Sequence, residues 1–122
     1  MAGFTNAEAQ ATLDARFPTT GATDHIAWSV NGTSEFAGLA RTAVGATGWA
    51  AATAADPSVK ANASALLTAA ATGAGAVSHF AVYTASTGGT QRTDWTALSL
   101  SKTLAIGDKL EAAAGALQVT LT

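Results

Sequence analysis

Few residues in this chain can move protons or bind metals. Histidine occurs at His25 and His79 only, cysteine is absent, and eight acids and six bases are spread through 122 residues. A nucleophile–base–carboxylate relay needs three such groups to converge. Asp24 and His25 adjoin in a stretch of period two, where successive side chains point to opposite faces, so they pair poorly. Ser29 and Ser78 stand near the histidines but inside expected strands, and no Gly-x-Ser-x-Gly elbow occurs. His79 is expected to pack beside Tyr83 or at a subunit contact.

Metal chemistry fares no better. Zinc asks for three or four nitrogen or sulfur ligands at suitable spacing, and two isolated histidines do not supply them. Asp94 and Asp108 are lone carboxylates in expected loops or turns, unlike the dense oxygen ligands of a calcium loop. Gly45, Gly48, Gly73, Gly75, Gly88 and Gly89 read as turn residues, because none precedes the Lys-Ser/Thr pair of a phosphate loop. The expectation is therefore a protein that is not an enzyme and uses no metal and no cofactor.

The bases Arg16, Arg41, Lys60, Arg92, Lys102 and Lys109 are scattered and the net charge is -2, which argues against nucleic acid as a partner. No apolar run is long enough to span a membrane. The first residues show neither the basic region nor the apolar stretch of a signal peptide, so synthesis and assembly in a cytoplasm are expected. Only 11% of the residues are charged, against roughly a quarter in an ordinary globular chain. Alanine, threonine, glycine and serine fill the difference, giving the small, neutral surface that suits close approach to identical neighbours.

The large side chains carry the remaining information. Trp28, Trp49 and Trp95 are expected to anchor the core or an interface, since aromatics dominate burial in both. The alternative is a sugar-stacking platform. In the N-terminal segment, Phe4, Leu13 and Phe17 are the candidate docking residues.

The elements that position these residues are short. Residues 5–16 read as a helix, with Thr5 and Glu8 at capping-box spacing, Ala9, Leu13 and Phe17 on one face, Gln10 and Asp14 outward, and Pro18 as the stop. Residues 19–24 are expected to form a loop. Residues 25–31 alternate as a strand, with Ile26, Trp28 and Val30 on one face, ending at the Asn31-Gly32 turn signal. Further strands are expected at 39–44, 62–68, 76–85 and 95–100, the 76–85 strand central because both its faces are apolar. Loops or turns fall at Asp56-Pro57, 69–75, 86–90 and 105–108. Residues 109–113 and 117–121 read as a closing hairpin around Ala114-Gly115. Turn signals every ten or so residues point to a mainly β chain, a small β-sandwich or jelly-roll-like domain with one N-terminal helix. A single domain is expected, with residues 1–18 as a helical arm and 19–122 as the sandwich.

Three runs in the second half carry a resemblance: Gly75-Ala-Val-Ser-His-Phe-Ala-Val-Tyr-Thr-Ala-Ser-Thr-Gly-Gly89, Ala97-Leu-Ser-Leu-Ser-Lys-Thr-Leu-Ala-Ile-Gly-Asp-Lys-Leu110, and Ala113-Ala-Gly-Ala-Leu-Gln-Val-Thr-Leu121. Together they resemble small bacteriophage virion proteins described as tail fiber, minor capsid or capsid decoration proteins. That group shows a Gly-x-Val-Ser/Thr-His strand, an Ala-Thr-Gly-Gly turn, a Ser-Lys-Thr-Val segment, a Gly-Asp turn and an Ala-Gly-x-Leu-x-Val-Thr-Leu ending. The resemblance is good over 75–121 and loose before it, through Ala2-Gly3-Phe4-Thr5 and the strand at Trp28. Where the group has a His-Thr-Ala-Asp-Pro stretch, this chain has Trp28-Ser-Val-Asn-Gly-Thr33.

The resemblance implies a structural protein of the virion, on the capsid surface or the tail. The first expectation is a capsid decoration protein that binds the assembled major capsid protein as a trimer or other symmetric homo-oligomer and stabilises the head by mass action. The second is a tail fiber or baseplate module touching the host surface, and a small hydrolase ranks far below both.

Overall fold

The computed structural model describes residues 5–17, 19, 23–45, 49–54 and 58–121. Phe4, Pro18 and the Asp56-Pro57 turn lie outside the described residues.

Helix α1 spans Asn6–Arg16. Thr5 caps it from an extended conformation, its hydroxyl accepting the Glu8 N–H at 3.2 Å. Glu8 in the first turn and Arg16 in the last complement the helix dipole. Ala9, Leu13 and Phe17 are buried, as a four-residue spacing requires of one stripe. The opposite side is not free, however. Gln10 donates to the Ala52 carbonyl at 3.0 Å, and Asp14 binds Lys60 and the Ala52 N–H. The expectation that Gln10 and Asp14 point outward is thus corrected, because partners distant in sequence reach both.

The strands are β1 (His25–Ser29), β2 (Thr42–Ala43), β3 (Ser58–Ala61), β4 (Leu66–Leu67), β5 (Gly75–Tyr83), β6 (Thr96–Leu104), β7 (Glu111–Ala112) and β8 (Gln118–Leu121). The fold is mainly β and sandwich-like. One antiparallel sheet has the order β2-β1-β5-β6, and two antiparallel ladders, β3-β8 and β4-β7, accompany it. Ile26, Trp28, Val77, Phe80, Val82 and Leu104 from the sheet share one hydrophobic cluster with Leu13, Leu66, Leu110, Ala112 and Leu117.

The central pair is regular, running from His25 opposite Tyr83 to Ser29 opposite His79. Residues 26–29 are all fully buried, so β1 is covered on both faces rather than on the Ile26/Trp28 face alone. Val30 falls outside the strand and is partly exposed. The β5–β6 pairing is irregular. Val77 opposes Lys102 and His79 opposes Ala97, so the single residue Ser78 faces Leu98 to Ser101. Val77 and Phe80, of opposite parity, both enter the core, in the stretch of β5 where this pairing is irregular.

Three sequence expectations need correction. The strand expected at 39–44 is confined to Thr42–Ala43. The strand expected at 62–68 is confined to β4, Leu66–Leu67, and β3 ends just before it at Ala61; between them stands Asn62, whose buried side chain takes over hydrogen bonds that a ladder would make. Its amide nitrogen donates to the Ser64 and Ala113 carbonyls at 2.8 and 2.9 Å, and its oxygen accepts the Leu117 N–H at 3.0 Å. The expected C-terminal hairpin is not one either, since β7 pairs with β4 and β8 with β3. The turn between them does form, closed by Ala116 N–H to the Ala113 carbonyl with Gly115 at φ 81°. The linker before β5 is tied down, with Ala71 N–H bonded to the Asp108 carbonyl and Gly107 N–H to the Ala71 carbonyl, both at 2.7 Å.

Candidate functional site

The expected anchor residues separate by burial. Leu13, Phe17, Trp28 and Trp49 are all buried in the chain's own core. Trp95 is half-buried on the rim, with its ring 6.2 Å from Tyr83. Phe4 lies outside the described residues. The five described residues therefore do not form one surface patch.

Two clusters, absent from any motif, gather the polar chemistry. The inner one is centred on Asp24, which is 3% exposed. It accepts the Trp49 indole N–H at 3.0 Å and pairs with Arg92, whose other terminal nitrogen donates to the Arg16 carbonyl at the end of α1. The Arg92 guanidinium stacks 4.4 Å from the Phe17 ring centre, and Phe17 meets Trp49 edge-on at 5.4 Å. Burying a carboxylate this deeply is tolerable only because it is paired and hydrogen-bonded. The cluster locks the helix terminus to the sheet.

The outer cluster is centred on Arg41. Its guanidinium binds both Glu35 oxygens at 2.9 Å, donates to the Ala85 and Gly88 carbonyls, and lies 3.9 Å over the Tyr83 ring. The Glu35 hydrogen bond raises the Arg41 pKa above its ordinary value. Tyr83 donates to Gln91 at 3.2 Å. Gln91 and Arg92 are neighbours on an extended segment and so serve the two clusters on opposite sides.

A third ion pair supports α1. Lys60 is fully buried and donates to Asp14 at 2.6 Å, which also accepts the Ala52 N–H at 2.9 Å. The Lys60 hydrogen bond, then that of Ala52, holds the Asp14 carboxyl below its ordinary range.

Two open clefts flank β6. The larger, about 760 Å³, lies between α1, the start of β6 and the 115–119 segment, with Leu13, Phe17 and Phe80 among its apolar residues and Arg16, Asp94 and Gln118 among its polar ones. The smaller, about 280 Å³, is bounded by Trp28, Leu98, Leu110 and Leu117.

Neither cleft brings a base to a nucleophile. The closest approach of that kind is Ser78 Oγ to His79 Nδ1, at 2.7 Å. The ring's other nitrogen faces Gly32, where any side chain would begin 2.9 Å from Nε2, instead of an orienting carboxylate. His25 contacts the Thr23 carbonyl at the far end of β1. Among the described residues no group of three acids and histidines is placed to hold a metal, and no helix is long and apolar enough to cross a membrane.

Sequence reasoning missed Asp24, Arg92, Lys60, Asp14 and Arg41 as a structural set. Arg92 and Asp24 are 68 positions apart, and Lys60 and Asp14 are 46, so spacing along the chain held no sign of either pair.

No curated protein matches the chain. A family model described as podophage GP4 fiber I protein gp80 matches residues 3–120. The likeness to phage virion proteins, which the motifs carry well over residues 75–121 and only loosely before them, thus extends over almost the entire chain. The chain belongs to the podophage GP4 fiber I protein gp80 family and is a structural protein of the phage virion.

Proposed function

We propose that the chain is a non-enzymatic structural subunit of a podophage fiber. The family match over residues 3–120 carries this reading. The site chemistry agrees with it. The ionisable groups in the two clusters are spent on each other and on backbone carbonyls, tying α1 and the loops into a rigid unit. Rigidity is what a load-bearing part needs, whereas a hydrolase needs ionisable groups left free to face a substrate.

Of the two locations that the sequence suggests, the fiber is favoured over capsid decoration because the family description names a fiber. The subunit acts with other tail proteins and with copies of itself in a symmetric homo-oligomer. A phage carrying an amber mutation in the gene tests this reading by electron microscopy of particles grown without suppression. Particles with intact, filled heads and missing fibers are expected. Complete fibers on heads that leak or collapse would instead assign the protein to capsid decoration.

A further inference from the structure

The turn after β1 contains Asn31-Gly32, the dipeptide in which an asparagine side chain is least hindered from reacting with the next backbone nitrogen, because glycine has no Cβ to obstruct the approach. In that reaction the Gly32 nitrogen gives up its proton and attacks Asn31 Cγ. A nitrogen–Cγ bond forms, the Cγ–Nδ2 bond breaks, and the amide leaves as ammonia carrying a proton. The five-membered imide then takes up one water at either carbonyl to give aspartate or isoaspartate, with no oxidation or reduction.

In the fold both reacting groups are engaged by other partners. Gly32 N–H donates to Ser29 Oγ at 2.9 Å, and Asn31 N–H donates to the same oxygen at 3.2 Å. The Ser29 hydroxyl in turn donates to Asn31 Oδ1 at 3.1 Å. That oxygen also accepts the Thr33 and Ser34 N–H groups at 2.9 and 3.0 Å, while Nδ2 donates to Ser34 Oγ at 3.2 Å. The nucleophilic nitrogen and the carboxamide are thus each held by other partners. Ser29 is itself fully buried at the end of β1, opposite His79. Gly32 sits at φ +75° against the His79 ring. An isoaspartate would add a backbone atom beside a glycine already held at positive φ against that ring.

We propose that Asn31 is a latent self-modification site, an imide-forming asparagine that the folded turn keeps closed, with the Ser29 hydroxyl as the latch. Opening of the turn, rather than the local sequence, sets the rate at which the protein ages there. A subunit of an assembled particle is not replaced once in place, so a protected Asn-Gly preserves the end of β1 for the life of the particle.

Peptide mapping by mass spectrometry, after timed incubation in mildly alkaline buffer, reads aspartate and isoaspartate at Asn31. The native protein is expected to convert at least about tenfold more slowly than the same chain unfolded in urea, and S29A at least about five- to tenfold faster than the native protein, the rate equivalent of losing, of its three hydrogen bonds, the one that holds the attacking nitrogen. S34A, at an exposed position, is expected to rise by a smaller factor and serves as the folded variant if S29A does not fold. Equal rates for native and urea-unfolded chains would overturn the proposal. So would a folded S29A converting at the native rate.

Discussion

Strands β1 and β6 differ less in sequence than in fate. β1 reads His-Ile-Ala-Trp-Ser and is buried from Ile26 to Ser29, including its serine. β6 reads Thr-Ala-Leu-Ser-Leu-Ser-Lys-Thr-Leu and is exposed or half-exposed everywhere except Leu104, with Leu100 72% exposed. Both sequences mix apolar and small polar residues. What separates them is position: β1 lies between β2 and β5, whereas β6 pairs with β5 alone and forms the sheet edge. The bulge at Leu98 to Ser101 and the charge at Lys102 are the devices that keep an exposed edge from pairing with stray strands. The inner strands hold the molecule together, and the edge presents it to its surroundings.

The sharpest way to break this comparison is to truncate each strand at its largest apolar side chain. Trp28 is fully buried and anchors the core, so Trp28→Ala is expected to cost about 3–5 kcal/mol by denaturant unfolding, enough to unfold a domain of ordinary stability. A cost under about 1 kcal/mol would show that the core is organised elsewhere.

Next in size is the inner cluster. Arg92→Ala leaves Asp24 buried without its counter-ion and frees the Arg16 carbonyl, and is expected to lose about 3 kcal/mol, since breaking a buried pair costs more than the pair is worth. The companion change Arg41→Ala in the outer cluster is expected to cost less, because Glu35 can turn to water. Chemical denaturation of the two variants side by side would decide the order.

The ion pair beneath α1 predicts a pH dependence. The Asp14 carboxyl is held below its ordinary range by Lys60, so its contribution is present above the unfolded aspartate pKa of about 3.9 and is lost as pH falls through the lower folded value. The gap in melting temperature between the protein and Asp14→Asn should be largest near neutrality and shrink as pH drops below about 4. A gap that stays constant with pH would show that the carboxylate charge contributes nothing. The smallest effect is expected at the edge, where Leu100→Thr should change stability by no more than about 0.5 kcal/mol. A larger loss would mean that β6 belongs to the core after all.

Much of the frame was legible because it rests on local signals. The Thr5 cap, the Ala9/Leu13/Phe17 stripe, the alternation at Ile26 and Trp28, the doubly apolar strand ending at Tyr83, and the Gly107 and Gly115 turns all follow from neighbours within a few positions. What escaped depends on distant partners. Asn62 looked like the start of a strand, yet it follows the end of β3 because its amide finds Ala113 and Leu117. The last two strands looked like a hairpin, but each had a better partner in the middle of the chain. The polar clusters were invisible for the same reason, since nothing near Arg92 announces Asp24. The aromatic anchors were read by type alone, which marks a residue for burial without saying whether its own chain or another supplies the cover. The structure supplies it from this chain for Trp28 and Trp49 and leaves Trp95 on the rim.

Quantitative mass spectrometry of purified particles, separated into heads and tails, tests the fiber assignment most directly. The account predicts that the protein travels with the tails, in a few tens of copies at most. Hundreds of copies travelling with the heads would contradict it and make the chain a capsid decoration protein.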